Sequence, residues 1–323
     1  MKTVLITGAS SGFGHGAAIE LAKGGWRVFA AMRNVARAGT LFAETSGADL
    51  AGEIIPVELD VTDAGLIASG VAQVLDQAGG QLDVLVNNAG YSMLGAFEDL
   101  SDAECRAQMD TNFFGALAVT RAVLPAMRAL GHGRLVVITS NAVNAPHPLL
   151  SMYAASKWAL EGWAEGLAME VAPFGVEVTV LQPGAHRTPF AQNVQFVQPE
   201  SSAYRDWLAE AMPGIGKLDQ WGRDPSLAVE AIVEAVIAPE VPFRRAIGED
   251  TRLFAMLKGL APYETRAWLL RQIAGLPAPK AKDKAQDHAV LNQVLQTVLA
   301  AAAKDPASAS VLAKALFPDA LRH

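Results

Sequence analysis

Short apolar runs alternate along the chain with longer stretches of helical length and composition. The runs are KTVLITG (2–8), WRVFAA (26–31), EIIPVELD (53–60), LDVLVNN (82–88), RLVVITS (134–140), VEVTVLQPG (176–184) and FRRAIG (243–248). Several are apolar almost throughout rather than alternating, the pattern of strands covered on both faces of a parallel sheet. Stretches such as GHGAAIELAKGG and CRAQMDTNFFGALAVTRAVLPAMRAL lie between them and predict helices, with Gly24-Gly25 as a helix stop before the second strand. This βαβα order predicts an α/β domain with a doubly wound parallel sheet.

Residues 185–225 break the rhythm with Pro189, Pro199, Pro213, Gly214 and Gly216. A long excursion at the carboxyl end of a strand is where an open α/β sheet builds its ligand crevice, so this segment is expected to carry a substrate-binding loop and helices. After Pro277, PAPKAKDKAQDH has linker composition, and AVLNQVLQTVLAAAAK and ASASVLAKALF predict two Ala/Leu-rich helices. The expected division is a catalytic domain over 1–250 and a helical C-terminal extension over 251–323.

Composition narrows the function classes. The 323 residues are 51% hydrophobic with net charge −7, and no long Lys/Arg run appears, which argues against a nucleic-acid partner. No uninterrupted apolar run approaches the ~18 residues of a membrane span. Strand-like sequence from Thr3 leaves no room for a signal peptide, so a cytoplasmic location is expected. Cys105 is the sole cysteine, and His15, His132, His147, His186, His288 and His323 are scattered without ligand spacing. No disulfide and no metal site are expected.

The first strand runs directly into TGASSGFGHG, where Gly8, Gly12 and Gly14 are spaced G-x-x-x-G-x-G. Glycines between a strand and a helix let the backbone approach a diphosphate, while the helix N-terminus supplies free N–H groups. A dinucleotide is the expected ligand. The second strand ends FAAMRN, with Met32 where an acid would hold the 2′-hydroxyl of NAD, followed by Arg33. A guanidinium pairs with the 2′-phosphate through a planar fork of donors, so NADP is expected over NAD, with Arg37 as a second candidate.

In SMYAASKWAL, Tyr153 and Lys157 are spaced i, i+4 and share one helix face. A nearby ammonium stabilises a phenolate, which makes the pair a candidate acid/base and its tuning group. Small residues between them leave room for a ligand.

Taken with TGASSGFG (7–14), LDV (59–61), NNAG (87–90), Asn112 in TNFFG, Ser140 in ITS, YAASK (153–157) and PGAHRT (183–188), the chain resembles the short-chain dehydrogenase/reductase family. The resemblance is to its single-domain branch and covers about residues 1–275. FAAMRN and RRAIGED are similar to the hydroxysteroid and retinol dehydrogenase members. The resemblance implies a Rossmann-type fold and a catalytic tetrad of Asn112, Ser140, Tyr153 and Lys157. It places Gly8, Ser10, Ser11, Gly12, Phe13, Gly14, Arg33, Asp60, Val61, Asn87, Ala89 and Gly90 on the cofactor, Asp60 at the adenine. Pro183, Gly184 and Thr188 would border the nicotinamide, while Tyr153 and Lys157 would reach its ribose. Asn112 would hold a water behind Lys157. The family forms dimers and tetramers, which makes a homo-oligomer an expectation here.

Met93, Leu94, Val143, Leu149, Leu150, Phe190, Phe196, Tyr204 and Trp207 are the expected pocket walls. Their apolar character points to a hydrophobic alcohol or ketone. The rivals are an epimerase or dehydratase of the extended branch, whose glycine spacing is G-x-x-G-x-x-G, and a dinucleotide sensor or scaffold without catalysis.

Overall fold

The computed structural model describes residues 1–45, 50–187, 194–220, 222–274 and 276, with isolated positions 293, 296, 300 and 303 beyond them. Nine strands are described: β1 (Thr3–Thr7), β2 (Arg27–Met32), β3 (Glu53–Glu58), β4 (Val84–Asn87), β5 (Met93–Leu94), β6 (Gly133–Ile138), β7 (Val176–Pro183), β8 (Gln195–Phe196) and β9 (Arg244–Ile247). The helices are α1 (Gly12–Lys23), α2 (Gly39–Thr45), α3 (Ala64–Gln77), α4 (Asp102–Met109), α5 (Gly115–Leu130), α6 (Ser151–Val171), α7 (Arg205–Gln220), α8 (Ser226–Ile237), α9 (Glu249–Leu260) and α10 (Tyr263–Ala274).

Seven strands form one parallel sheet in the order β3-β2-β1-β4-β6-β7-β9. All seven apolar runs of the sequence become its strands, which confirms the doubly wound α/β class. Alternation within β1 shows why those runs are apolar throughout. Val4 and Ile6 face a core with Ala17, Leu21 and Ile232 of α1 and α8, while Leu5 faces a second core with Val71, Val119 and Leu160 of α3, α5 and α6. Both faces are covered, so no position in the strand is left for water.

The strand order reverses between β1 and β4, and a parallel sheet opens its ligand crevice at such a switch point. Local signals fix the helix ends around it. Asp63 caps α3 through Leu66 N at 2.9 Å, and Ser101 with Glu104 forms a capping box on α4. Between α4 and α5 the helix widens into a π turn over Asp110–Phe114. The continuous helical stretch Asp102–Leu130 is apolar and long enough to cross a membrane by length and composition alone, although Arg106, Asp110 and Arg121 interrupt its apolar run. Its residues Val119, Val123 and Met127 are spent on the sheet core.

The predicted excursion after β7 returns over the sheet. Its residues Gln195 and Phe196 pair in parallel with Met93 and Leu94, making a two-stranded ribbon of β5 and β8 that the sequence did not announce. The predicted tail helices fall beyond the continuously described residues.

Candidate active site

The turn after β1 is shaped by glycines. Gly8 and Gly12 adopt φ of +67° and +62°, where other residues are strained. A Cβ on Gly14 would lie 2.6 Å from Asn88 Nδ2 and 2.8 Å from the Gly8 carbonyl oxygen. Asn88 locks this turn to the end of β4. Its Nδ2 donates to the carbonyls of Thr7 at 2.9 Å and Gly8 at 3.2 Å, and its backbone N–H donates to Thr7 Oγ1 at 3.0 Å.

A cavity of about 390 Å³ opens above these turns. Gly8, Ser10, Ser11, Gly12 and Phe13 line it from the glycine turn, and Arg33, Asp60, Val61, Ala89 and Gly90 from the neighbouring strand ends. Asn88 of the NNAG motif lines it as well, as do Tyr91, Thr111 and Gln195, which sequence reasoning missed. Asn87 is buried and donates to Thr120 Oγ1 at 2.8 Å, so its side chain supports the sheet beneath the cavity. Asp60 Oδ1 accepts from Thr62 N and Oγ1 at 2.9 and 2.7 Å, which sets the turn at the cavity wall. Arg33 and Arg37 form an exposed recess with Ser10 and Asn34, and among the described residues neither makes an ion pair.

At the carboxyl ends of β4 and β6 the four tetrad candidates converge. Ser140 lies two residues beyond β6 rather than within it and caps a short 3-10 turn, accepting from Ala142 N at 3.1 Å. It is hydrogen-bonded to the Tyr153 phenol, which is 9% exposed. Burial pushes the phenol pKa above its ordinary value, and the Ser140 bond opposes that rise. Lys157 is 4% exposed and donates to the Ile138 carbonyl at 3.0 Å. Burial lowers its pKa to about 8. Its Nζ stands 5.9 Å from the Tyr153 ring centroid, and a Cβ on Gly90 would come within 3.5 Å of it.

Asn112 sits in the π turn, fully buried. Its Oδ1 accepts from Tyr91 N, and its Nδ2 donates to the Tyr91 carbonyl and to Ser156 Oγ, all at 3.0 Å. The side chain is thus committed to protein groups.

Glu161, one helical turn beyond Lys157, was also missed. Its carboxylate accepts from Thr139 Oγ1 and Gln182 Nε2 at 2.8 Å and from Arg244 Nε at 2.7 Å. It thereby joins α6 to β6, β7 and β9 just below Ser140 and Pro183.

The expected apolar walls gather in part. Leu149 and Leu208 form a buried cluster with Ala96, against which Leu94, Tyr204 and Trp207 pack. Leu150 packs on Ala142, Tyr153 and Ala154, and Val143 is 1% exposed. Phe196 is exposed. Leu149 holds φ of +68°, a costly conformation for a branched residue, fixed by a bond from Gly95 N to its carbonyl at 2.9 Å. Pro183 ends β7. A Cβ on Gly184 would meet Asp250 Oδ2 at 2.5 Å and Thr251 Oγ1 at 2.7 Å, so the turn packs tightly on the start of α9. Thr188 and Phe190 lie outside the described residues. Among the described residues no cluster of His, Cys, Asp and Glu could hold a metal ion.

A sequence profile of the short chain dehydrogenases matches residues 2–197. The chain belongs to the short-chain dehydrogenase family. It is an oxidoreductase of that family. The 3-ketodihydrosphingosine reductase of Bacteroides thetaiotaomicron is 34% identical over 273 residues, covering 84% of this chain and 97% of the relative. Retinol dehydrogenase 8 of Homo sapiens is 37% identical over 259 residues, covering 76% and 80%. Among solved structures, a short-chain dehydrogenase from Streptomyces avermitilis superposes with TM-score 0.70 at 35% identity, covering 83% of this chain and 94% of the other. Solved structures of similar shape hold either nucleotide. An alcohol dehydrogenase from the archaeon Thermococcus sibiricus is complexed with 5-hydroxy-NADP (TM-score 0.62, 26% identity, 76% and 96% covered). A 3-oxoacyl-[acyl-carrier protein] reductase from Brucella melitensis has bound NAD (TM-score 0.60, 25% identity, 76% and 88% covered).

Proposed function

We propose that this chain is an NADP(H)-dependent oxidoreductase that interconverts an apolar alcohol with its ketone or aldehyde, using Tyr153 as the general acid and base. The observation that carries this reading is the buried Ser140–Tyr153–Lys157 group, whose Lys157 lies against Gly90 in the wall of a glycine-cradled cavity. The glycine turn suits a dinucleotide diphosphate, because Gly8 and Gly12, at positive φ, expose bare backbone to the cavity where α1 begins.

The nicotinamide, when bound, supplies or accepts the hydride. The chain's own residues handle the oxygen and its proton. In the reducing direction the carbonyl oxygen gains negative charge as hydride arrives and must be protonated. Tyr153 is well suited to give that proton, since burial keeps its phenol protonated at neutral pH. Ser140, already bonded to that phenol, offers a second hydroxyl to the same oxygen and orients it. Lys157, with a pKa brought down to about 8, carries charge at neutral pH and restores the proton balance beside Tyr153. Asn112 and Ser156 hold the backbone on either side of this group.

Arg33 and Arg37 support a preference for the 2′-phosphate: their exposed guanidiniums share a recess with Ser10, and no carboxylate lines it. The cluster of Leu149, Leu208 and Leu94, with Leu150 packed on Tyr153, supports an apolar substrate. Relatives named for 3-ketodihydrosphingosine and for retinol fit that class. The test is consumption of NADPH and of NADH by the full chain with a panel of aliphatic, alicyclic and aromatic ketones. Turnover confined to charged carbonyl compounds, or equal efficiency with the two cofactors, would contradict the reading.

A further inference from the structure

Lys157 and Glu161 are the two buried charged side chains among the described residues, and they stand one helical turn apart on α6. The chemistry above uses Lys157 and leaves Glu161 without a part. A buried carboxylate is costly, and apolar residues of similar volume often serve stability as well or better. Glu161 is held by donors on both oxygens. Its Oε1 accepts from Thr139 Oγ1 and Gln182 Nε2, each at 2.8 Å, and its Oε2 accepts from Arg244 Nε at 2.7 Å. The network continues inward, where Gln182 Oε1 accepts from Asn144 Nδ2 at 3.1 Å. Thr139, Gln182 and Asn144 are all buried.

These bonds bracket Ser140. Thr139 immediately precedes it, and Asn144 closes the 3-10 turn Asn141–Val143 that Ser140 caps. Lys157 fastens the Ile138 carbonyl and Glu161 fastens Thr139, so consecutive turns of α6 grip consecutive residues at the end of β6. The helix that carries Tyr153 is thereby registered against the segment that carries Ser140. Charge gives the network a fixed direction. A carboxylate paired with an arginine has acceptors only, so Gln182 turns its NH2 group to Glu161 and its oxygen to Asn144. An amide at position 161 cannot hold that order. With its oxygen towards Gln182, its NH2 group would meet the Arg244 Nε–H. Turned round, it would reverse the Gln182 amide and set that NH2 group against the one on Asn144.

We propose that Glu161 is a positioning residue for the reaction: through Thr139, and through Gln182 and Asn144, it sets Ser140 against Tyr153. The inference rests on the Ser140–Tyr153 reading above. It gives a part in that reaction to a side chain that does not line the dinucleotide cavity and stands outside the tetrad.

The test compares ketone reduction, NADPH binding and thermal melting for the full chain and its variants, each assayed well below its melting temperature. Glu161→Gln keeps the shape and removes the charge. Gln182→Met cuts the link to Asn144 and leaves the Arg244 pair in place. Glu165→Gln alters the exposed outer partner of Arg244 and serves as the control. The expected result is a fall in kcat of about tenfold for Glu161→Gln and for Gln182→Met, the scale of a sub-ångström displacement of a reacting group. KM for the ketone and affinity for NADPH should stay within about threefold. The variant carrying both substitutions should lose no more than the larger single loss, because both cut one path. Glu165→Gln should keep kcat within about twofold. A kcat within about twofold of the parent for Glu161→Gln, whatever its melting temperature, would make Glu161 a structural residue and overturn the assignment while the Tyr153 reading stands. Multiplied losses in the double variant, or a fall of about tenfold in Glu165→Gln, would overturn it as well. Absence of ketone reduction by the unmodified chain would overturn both readings.

Discussion

Asn112 Nδ2 donates to Ser156 Oγ at 3.0 Å, joining the π turn before α5 to the helix that carries Tyr153 and Lys157. The same amide bonds both polar groups of the Tyr91 backbone, at the edge of the dinucleotide cavity. One buried side chain thus ties three parts of the site together. Asn112→Leu would leave the Tyr91 N–H unpaired, at a cost of about 1–3 kcal/mol, and would remove the donor to Ser156 Oγ, while the Tyr91 carbonyl keeps its bond from Gln108 Nε2. The expected outcome is a destabilisation of about 2–4 kcal/mol. It is read from urea midpoints, and a change under about 1 kcal/mol would contradict the structural role assigned here.

The glycine turn gives a second prediction. Gly14→Ala places a Cβ 2.6 Å from Asn88 Nδ2, so the turn or Asn88 must shift. Dinucleotide affinity should fall by about tenfold or more, as a cradle of aligned N–H groups loses its geometry. Gly162→Ala, in α6 with nothing within 4 Å of the new Cβ, is the control. It should leave affinity unchanged and add about 0.5–1 kcal/mol of stability.

Much of this was legible in the chain. The seven apolar runs became the seven strands of the main sheet, because strands covered on both faces leave a continuous signature that helices and loops do not share. Gly8, Gly12, Tyr153 and Lys157 were readable because their spacing is local, within a turn or a helix. What escaped depends on partners distant in sequence. The β5–β8 ribbon pairs residues about a hundred positions apart, and neither two-residue strand has a periodicity to detect. Glu161 looked like any helix glutamate until the fold brought Thr139, Gln182 and Arg244 to it. Asn87 and Asn88 are adjacent and chemically identical, so only the strand's pleat decides that Asn88 faces the cavity. Leu149 gives no hint of its positive φ, since that conformation is imposed by tertiary contacts.

Lys157 predicts a pH dependence. Its folded-state pKa of about 8 lies below the ordinary 10.5. Between those values the unfolded chain keeps a proton that the folded chain has released, so stability rises with pH across this window. The penalty is fully present below about pH 8 and fades towards pH 10.5. Lys157→Met should therefore be more stable than the parent at pH 7, by on the order of 2 kcal/mol after loss of the Ile138 bond, with the gap closing near pH 10. Denaturant midpoints of the dinucleotide-free protein at both pH values check the sign. A variant less stable than the parent at pH 7 would show that Lys157 is held without strain.

Arg33 tests the choice of nucleotide. Its guanidinium is exposed beside Ser10 and Arg37 and is not engaged by a carboxylate among the described residues. Arg33→Ala should weaken NADPH binding by about tenfold, the scale of one charge-assisted pair, and leave NADH within twofold. Parallel losses for the two nucleotides would remove Arg33 from the selector role.

The central claim is that Tyr153 moves the proton. Tyr153→Phe removes one oxygen and keeps the ring packed against Ala142, Ala154 and Leu150. The decisive measurement is NADPH consumption with the best ketone of the panel, made alongside NADPH binding, for parent and variant. Binding preserved within about threefold with turnover reduced by about a thousandfold or more is the predicted result. Turnover within about tenfold of the parent would contradict it.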